Sequence, residues 1–203
     1  MTTLSWPTAL SRDVSEWQLV LRNMTLTQAS PMNQSTQTIE LPGARWACSF
    51  SYGMLEEADS ALLEATLVQL AGRAGRVYLW NFARPTPRGS AAGTPLVKGA
   101  GQTGNSLIID GCATTITGWL KAGDYFGVNG ELKMMTANAN TNGSGETTLT
   151  FGPMLRSSPA DNAAITVTRP TATFALQDDA QAWSVTGRRL SFHQSLAFIE
   201  TFG

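Results

Sequence analysis

The stretch MLEEADSALLEATLVQLAG, residues 54–72, is the one segment of this chain with a clear helical pattern. Carboxylates crowd its first turns, where the helix dipole favours negative charge. Gly72 offers the kind of residue that commonly ends a helix. The apolar residues recur at steps of eight, four and three, which places them on one side of a helix: Leu55, Leu63, Leu67 and Leu70. We therefore predict one core helix over residues 54–72.

A strand with one buried face is predicted just before this helix. Trp46, Cys48, Phe50 and Tyr52 alternate with smaller or polar residues, and a period of two is typical of a half-buried strand. Cys48 is accordingly expected to be a small buried residue. The same alternation predicts further long β segments at residues 17–21, 37–41, 77–80, 174–176, 183–185 and 190–198.

The middle of the chain has a different character. Residues 84–93 hold two prolines and two glycines, which indicates a linker or a long loop. Short apolar segments follow at close spacing, and Asn129-Gly130 is a strong hairpin signal between two of them. The segments lie at residues 107–109, 119–120, 126–128, 132–134, 149–151 and 165–167. We predict a small β-barrel or sandwich over residues 85–170, inserted into a β-sandwich domain made of residues 1–84 and 171–203 that contains the helix.

Composition and charge narrow the classes of function. Charged residues make up 14% of the chain and the net charge is −1, so direct binding of nucleic acid is disfavoured. So low a charge content is compatible with a surface covered by neighbouring subunits, or with a polar monomer. Cys48 and Cys112 lie far apart, which disfavours a disulfide scaffold and a cysteine zinc site. We see no signal peptide or membrane span, and expect a protein made in the cytoplasm.

Two sequence features could indicate a nucleotide-binding or a catalytic site, but the residues around each favour a purely structural role. Gly99, Gly101 and Gly104 form a literal GxGxxG, but the following residues favour a strand where a dinucleotide site needs a helix. His193, the only histidine, lies on a polar strand face beside Ser191 and is expected at the surface or in an interface. We predict no catalytic, cofactor-binding or metal-binding residue, and no enzyme activity.

Two aromatic residues of the inserted segment remain as candidates for a binding site. Trp119 and Tyr125 could form a platform for a host-surface glycan. The alternative is that both belong to the core of a small barrel.

Several longer stretches carry a family resemblance. They begin with SPMNQSTQ (residues 30–37), ELPGARW (40–46) and GRAGRVYL (72–79), and continue through residues 93–97, 99–104, 120–126 and 155–161. Over roughly residues 16–185 the chain resembles minor tail proteins of long-tailed bacteriophages, of the distal tail protein type. The resemblance implies a β-sandwich with one helix, assembled as a hexameric ring that joins the tail tube to the baseplate hub.

The expectations for function follow from this resemblance. The ring role implies a virion protein of the tail tip, with the tail tube and hub proteins as partners and without nucleic acid or membrane contacts. Residues 1–10 are expected to form an extended arm or a sheet edge, and we expect subunit contacts to come from this N-terminal arm and from polar strand faces. The alternatives are a glycan-binding module using Trp119 or Tyr125, and a small hydrolase, which the absence of a histidine or carboxylate constellation disfavours.

Overall fold

The protein is mainly β with a single α-helix over the residues that its computed structural model describes, 3–185, 191–193 and 195–202. This agrees with the predicted fold class. The helix, α1, spans Glu57–Leu70. The strands are β1 (Thr3–Ser5), β2 (Val14–Arg22), β3 (Thr25–Ala29), β4 (Thr36–Glu40), β5 (Arg45–Tyr52), β6 (Arg76–Leu79), β7 (Gly93–Val97), β8 (Gly104–Cys112), β9 (Tyr125–Val128), β10 (Glu131–Met135), β11 (Thr147–Leu155), β12 (Ala172–Leu176), β13 (Trp183–Val185), β14 (Ser191–His193) and β15 (Leu196–Glu200).

The chain divides into two compact units. The first comprises residues 1–20, 46–85 and 169–203, and the second comprises residues 21–45 and 86–168. Residues 21–45, which we assigned to the first domain, therefore group with the second unit. The other boundaries fall beside residues 85 and 169, next to the predicted limits of the insertion.

The first unit contains a six-stranded sheet with the order β1-β6-β12-β15-β5-β2. Its core lies on the predicted face of β5, where Trp46, Cys48, Phe50 and Tyr52 are all buried. The Phe50 ring stacks on Phe198 at a centroid distance of 5.5 Å. Aromatic pairs of this kind add stability beyond the area that they bury, so the alternation in the sequence correctly identified the centre of this core.

The N-terminal segment forms an edge of the sheet, which was one of the two expectations for it, and does not form an extended arm. Strand β1 pairs in parallel with β6 at the edge of the sheet. Trp6 is 2% exposed and packs edge-on against Phe50 at 5.3 Å, and Leu10 is fully buried. Burying these two large side chains is favourable because it removes their apolar surface from water. The expectation that residues 1–10 extend to a neighbouring subunit is therefore wrong for Trp6 and Leu10.

The helix is shorter than predicted at its N-terminal end. Glu56 is extended (φ −68°, ψ 160°), so Met54 and Leu55 precede the helix, although Leu55 is buried as expected. At the other end Ala71 adopts the left-handed conformation (φ 51°), one residue before the predicted Gly72, and a 3₁₀ turn follows at Gly72–Ala74. An early left-handed residue ends the helical hydrogen bonding, so α1 stops at Leu70.

An arginine stabilises the turn after the helix. Nη1 of Arg76 donates to the backbone carbonyls of Arg73 (3.1 Å), Ala74 (3.0 Å) and Gly75 (2.9 Å). Carbonyls at the end of a helix lack intrahelical partners, and a cation nearby satisfies them.

The last predicted strand, residues 190–198, is in fact two elements. Strand β14 pairs with β13 in a separate two-stranded sheet, whereas β15 lies between β12 and β5 in the large sheet. The exposed Ser195 separates the two strands. Leu196 and Phe198 are buried in the core. We expected Leu190 and Phe192 on the same face of one strand, and the side chains of both lie outside the described residues.

The second unit contains a five-stranded sheet with the order β7-β8-β11-β10-β9. Trp119, Phe126 and Phe151 are its largest fully buried residues. Asn129 (φ 50°) and Gly130 (φ 74°) form the tight turn between β9 and β10, as the sequence predicts.

Two of the short segments predicted in this region are not strands. Leu120 forms an isolated bridge with Ala139, and the 165–167 segment contributes an isolated bridge between Gly127 and Thr166. Trp119 and Ile165 are both buried. Their apolar character therefore reflects burial in the core of the unit, and a short apolar run does not by itself distinguish a strand from a buried loop.

The close approach of two backbone segments at Gly75 gives a stability prediction. A Cβ at this position would collide with the backbone carbonyl of Leu70. We expect Gly75→Ala to lower the free energy of unfolding by about 1–3 kcal/mol, because the helix end must shift to admit the methyl group. Chemical denaturation would measure this loss. Gly53→Ala is the matched control, since its Cβ would meet open space; equal losses in both variants would contradict the steric explanation.

Candidate interaction surface

A hairpin made of β3 and β4 is the most unusual exposed feature of the described chain. The strands pair antiparallel, with Leu26 opposite Ile39 and Thr27 opposite Thr38. Together they form a sheet of only two strands. The predicted strand at residues 37–41 is confirmed as β4. Strand β3 was missed, although the alternation of Met24 and Leu26 with threonines signals it.

The loop of this hairpin is held by its own polar groups. The backbone N–H of Ser30 donates to the carbonyl of Ser35 at 2.8 Å, which closes the loop. Oδ1 of Asn33 accepts from the N–H of Ser35 at 3.1 Å and from its hydroxyl at 2.8 Å. Gln34 has a positive φ of 54°. The loop is therefore a defined turn that positions both strands.

The two faces of the hairpin differ in chemistry. On one face Met24, Leu26 and Ile39 are 52%, 47% and 50% exposed. On the other face the hydroxyls of Thr27 and Thr38 lie 3.2 Å apart. Alternation of apolar and polar residues is typical of a strand with one buried face, yet the apolar face of this hairpin is half exposed.

The hairpin segment is also nearly free of charge. Between residues 23 and 44, Glu40 is the only charged residue. An average protein segment of this length has about a quarter of its residues charged. Depletion of charge in an exposed apolar segment is the compositional signature of an interface core.

An isolated hairpin of this kind is poorly stabilised by itself. A two-stranded sheet is only marginally stable in water, and three strands or a packed face are usually needed. Burying the exposed half of Leu26 and of Ile39 would contribute roughly 1 kcal/mol each. The hairpin therefore gains from contact with a further protein surface, and we define the interaction surface as Met24, Leu26 and Ile39.

A second exposed apolar surface lies on the helix. Val68 is 68% exposed and Leu62 is 40% exposed. Ala58, Ala61 and Ala65 are exposed on the same side. An α-helix at the surface of a monomer normally carries polar residues on its outer side, and a helix that is apolar all round is normally buried. We refer to these five residues as the outer face of α1.

The two candidate residues for a glycan platform, Trp119 and Tyr125, both lie in the interior. Trp119 is fully buried, and its Nε1 donates to the carbonyl of Ala92 at 2.8 Å. Tyr125 is 9% exposed. Stacking against a sugar ring needs an accessible aromatic face, which neither residue offers. Both belong to the second unit's packed interior, which was the alternative explanation of these aromatic residues.

The GxGxxG segment forms the connection between β7 and β8. Gly99, Gly101 and Gly104 all have positive φ, between 81° and 84°, which favours glycine. The Gln102 amide fixes the turn, because Nε2 donates to the carbonyl of Ile108 at 3.1 Å and Oε1 accepts from its N–H at 2.6 Å. The two strands that it joins are antiparallel neighbours. The glycines therefore allow the backbone to reverse direction between two antiparallel strands.

The cysteines are buried and free in the described chain. Burial, with a smaller contribution from the charge of Asp110, raises the pKa of the Cys112 thiol to about 11. Burial also raises the pKa of Cys48. Because the thiolate is the reactive form, neither residue is a good nucleophile at neutral pH. The side chain of His193 lies outside the described residues.

Buried carboxylates of the second unit are engaged in structural contacts. Oε2 of Glu131 lies 2.6 Å from Nζ of Lys133, which also donates to the carbonyl of Met154 at 2.7 Å. The backbone N–H of Arg156 donates to Glu131 at 3.1 Å. An ion pair this deeply buried is tolerated because further hydrogen bonds satisfy its members. It connects β10 to the end of β11.

Asp124 ties the segment after residue 85 to the rest of the second unit. Its carboxylate accepts from the backbone N–H groups of Arg88 (3.0 Å), Gly89 (3.1 Å) and Lys121 (2.8 Å), and from Nε of Arg88 (3.2 Å). Burial alone would raise the pKa of Asp124, but these donors together outweigh it and lower the pKa.

Two comparisons with known proteins found no match for this chain. No family model matches the chain. No curated protein matches it either. The described residues contain no cluster of histidine, cysteine or carboxylate side chains that could hold a metal ion. Within the same residues, no helix is long and apolar enough to cross a membrane.

The Asp124 contacts give a prediction with a defined pH dependence. We expect Asp124→Asn to lower the free energy of unfolding at neutral pH by about 1–3 kcal/mol, because the amide cannot accept from all four donors. Since the pKa is lowered in the folded state, the contribution of the carboxylate is complete above the ordinary aspartate pKa and is lost as pH falls through the lowered value.

Denaturant unfolding at a series of pH values tests this expectation. The difference between wild type and Asp124→Asn should shrink as the pH falls below about 4. Asp13→Asn, at an exposed position, is the matched control and should show a small difference throughout. A difference for Asp124→Asn that stays constant down to strong acid would contradict the assignment.

Proposed function

We propose that this protein is a structural component of a bacteriophage tail tip, forming a ring that joins the tail tube to the baseplate hub. The resemblance to distal tail proteins over residues 16–185 supports this role and suggests six copies in the ring. The proposal assigns the protein to the virion, after synthesis in the host cytoplasm. It assigns no catalysis to the chain.

The observation that carries the proposal is the apolar face of the β3–β4 hairpin. Leu26 and Ile39 lie opposite each other, both half exposed, in a segment with one charged residue. A sequence that alternates so regularly specifies a face to be covered. Because this sheet has only two strands, a neighbouring subunit is the natural source of that cover.

The edges of the six-stranded sheet are a further feature that suits assembly. Strands β1 and β2 lie at its two ends, so each has one edge without a partner strand in that sheet. Exposed edges invite pairing with other chains, and proteins commonly protect them by closure or cover. In a closed ring, subunit contacts would provide such cover.

The glycan-binding alternative has no support left from its two proposed residues. Trp119 and Tyr125 are buried. The ring role depends on neither of them.

Light scattering after size-exclusion chromatography tests the ring directly. Six copies of the 21.7 kDa chain give a particle of about 130 kDa. We expect wild type to approach this mass as concentration rises. We expect Ile39→Lys to remain a monomer, since a lysine on the apolar face would be buried without a partner.

The same hairpin provides the matched control. Thr38 lies next to Ile39 but points to the opposite, polar face. Thr38→Lys should therefore assemble like wild type. A wild-type chain that stays monomeric at the highest concentration reached, or equal assembly of both lysine variants, would count against the proposal.

A further inference from the structure

We propose that the apolar face of the β3–β4 hairpin packs on the outer face of α1 in an adjacent copy of the same chain. The inference rests on the ring proposed above and names the contact that builds it. Two surfaces of one chain are each exposed and largely apolar: the face of Met24, Leu26 and Ile39 on the hairpin and the outer face of α1.

The outer face of α1 has the spacing of a continuous stripe. Ala58, Ala61, Ala65 and Val68 follow one another at steps of three, four and three, so they lie along one side of the helix. Leu62 lies beside this line and is also exposed. The five residues of the outer face are uncharged, and the exposed Glu57 and Gln69 border them on the helix. Glu64, next to Ala65 in sequence, is engaged by the Ser60 hydroxyl, which donates to its Oε1 at 2.9 Å.

The side chains of the two surfaces differ in size in a way that suits a contact between them. Three alanines make most of the stripe shallow, so another backbone could approach α1 closely. Met24, Leu26 and Ile39 are the larger side chains that would fill this space. A 14-residue helix is about 21 Å long and a five-residue strand about 17 Å, so the hairpin would cover most of the stripe.

Charge also favours this pairing of surfaces. Burying an unpaired charge in an interface is costly. The apolar face of the hairpin has none, since Glu40 alternates onto the face of Thr38. On α1 the exposed Glu57 lies one turn before Ala61, at the N-terminal end of the outer face. The hairpin could therefore cover the part of the stripe from Ala61 to Val68 while Glu57 stays at the polar rim of the contact.

Symmetry distinguishes this contact from pairing of two hairpins. A contact between identical surfaces is related by a two-fold axis and gives a dimer. A contact between two different surfaces of the chain is head-to-tail, so each copy offers a hairpin to one neighbour and a helix to the other. Such a contact closes into a ring when the rotation permits, which is what the proposed function requires.

Cross-linking between copies tests the contact. Ile39→Cys and Val68→Cys are prepared separately, mixed, and treated with a short bismaleimide. Both positions are exposed, and the native cysteines are buried. We expect a covalent dimer in the mixture. We expect the double variant Ile39→Cys/Val68→Cys to give a ladder of covalent species up to the size of the ring.

Ile108→Cys is the matched control, because Ile108 is an apolar residue of similar exposure (46%) on β8. Mixed with Ile39→Cys, it should give no more dimer than chance encounters do in a dilution series. A strong product from Ile39→Cys alone would indicate a two-fold hairpin contact and would overturn the inference.

A second variant separates this inference from the ring proposal. Val68→Asp should abolish assembly at concentrations where Ile108→Asp assembles like wild type. If wild type forms the ring and Val68→Asp does so equally, the ring stands and the helix contact is refuted. If wild type never assembles, both proposals fail.

Discussion

The β3–β4 hairpin exposes its apolar face to water, and this unfavourable exposure is the main constraint on the protein. Strands β3 and β4 have the alternation of a half-buried sheet, yet Leu26 and Ile39 remain half exposed. The hydrophobic effect disfavours this arrangement in a lone subunit, by roughly 1 kcal/mol for each such residue. Assembly would remove the cost at every subunit of a ring.

Each of the two units has a packed interior of its own. In the first unit, Phe50 and Phe198 stack at the centre of an aromatic core. In the second, Asp124 accepts four hydrogen bonds and the Glu131–Lys133 pair is fully enclosed. Aromatic packing in the first unit and satisfied polar contacts in the second favour one arrangement of each interior. The exposed apolar groups of the hairpin and of α1 then stand out as surfaces for contact.

The sequence was most informative where periodicity and burial coincide. The alternation from Trp46 to Tyr52 predicted β5 and its buried face, and Asn129-Gly130 predicted the turn between β9 and β10. The helix was found, but its start depended on the extended backbone of Glu56 and its end on the left-handed Ala71, and neither is encoded in apolar spacing.

Other features depend on contacts between distant positions, which a single sequence does not reveal. Arg88 reaches Asp124 across 36 residues. Trp119 is large and aromatic, which suits a sugar platform and a core equally well, and burial decides between them. The interaction surface was missed for a related reason: Leu26 was assigned to no strand, Ile39 was taken as an ordinary strand position, and their exposure is a property of the fold.

Amide hydrogen exchange as a function of protein concentration tests the central claim most directly. The account predicts that the backbone amides of residues 24–41 and 57–70 exchange more slowly at high concentration, where copies cover the hairpin and the helix, while the amides of β8 and β11 are unaffected. Exchange in the hairpin that is equally fast at every concentration would contradict the claim that its apolar face is a subunit contact.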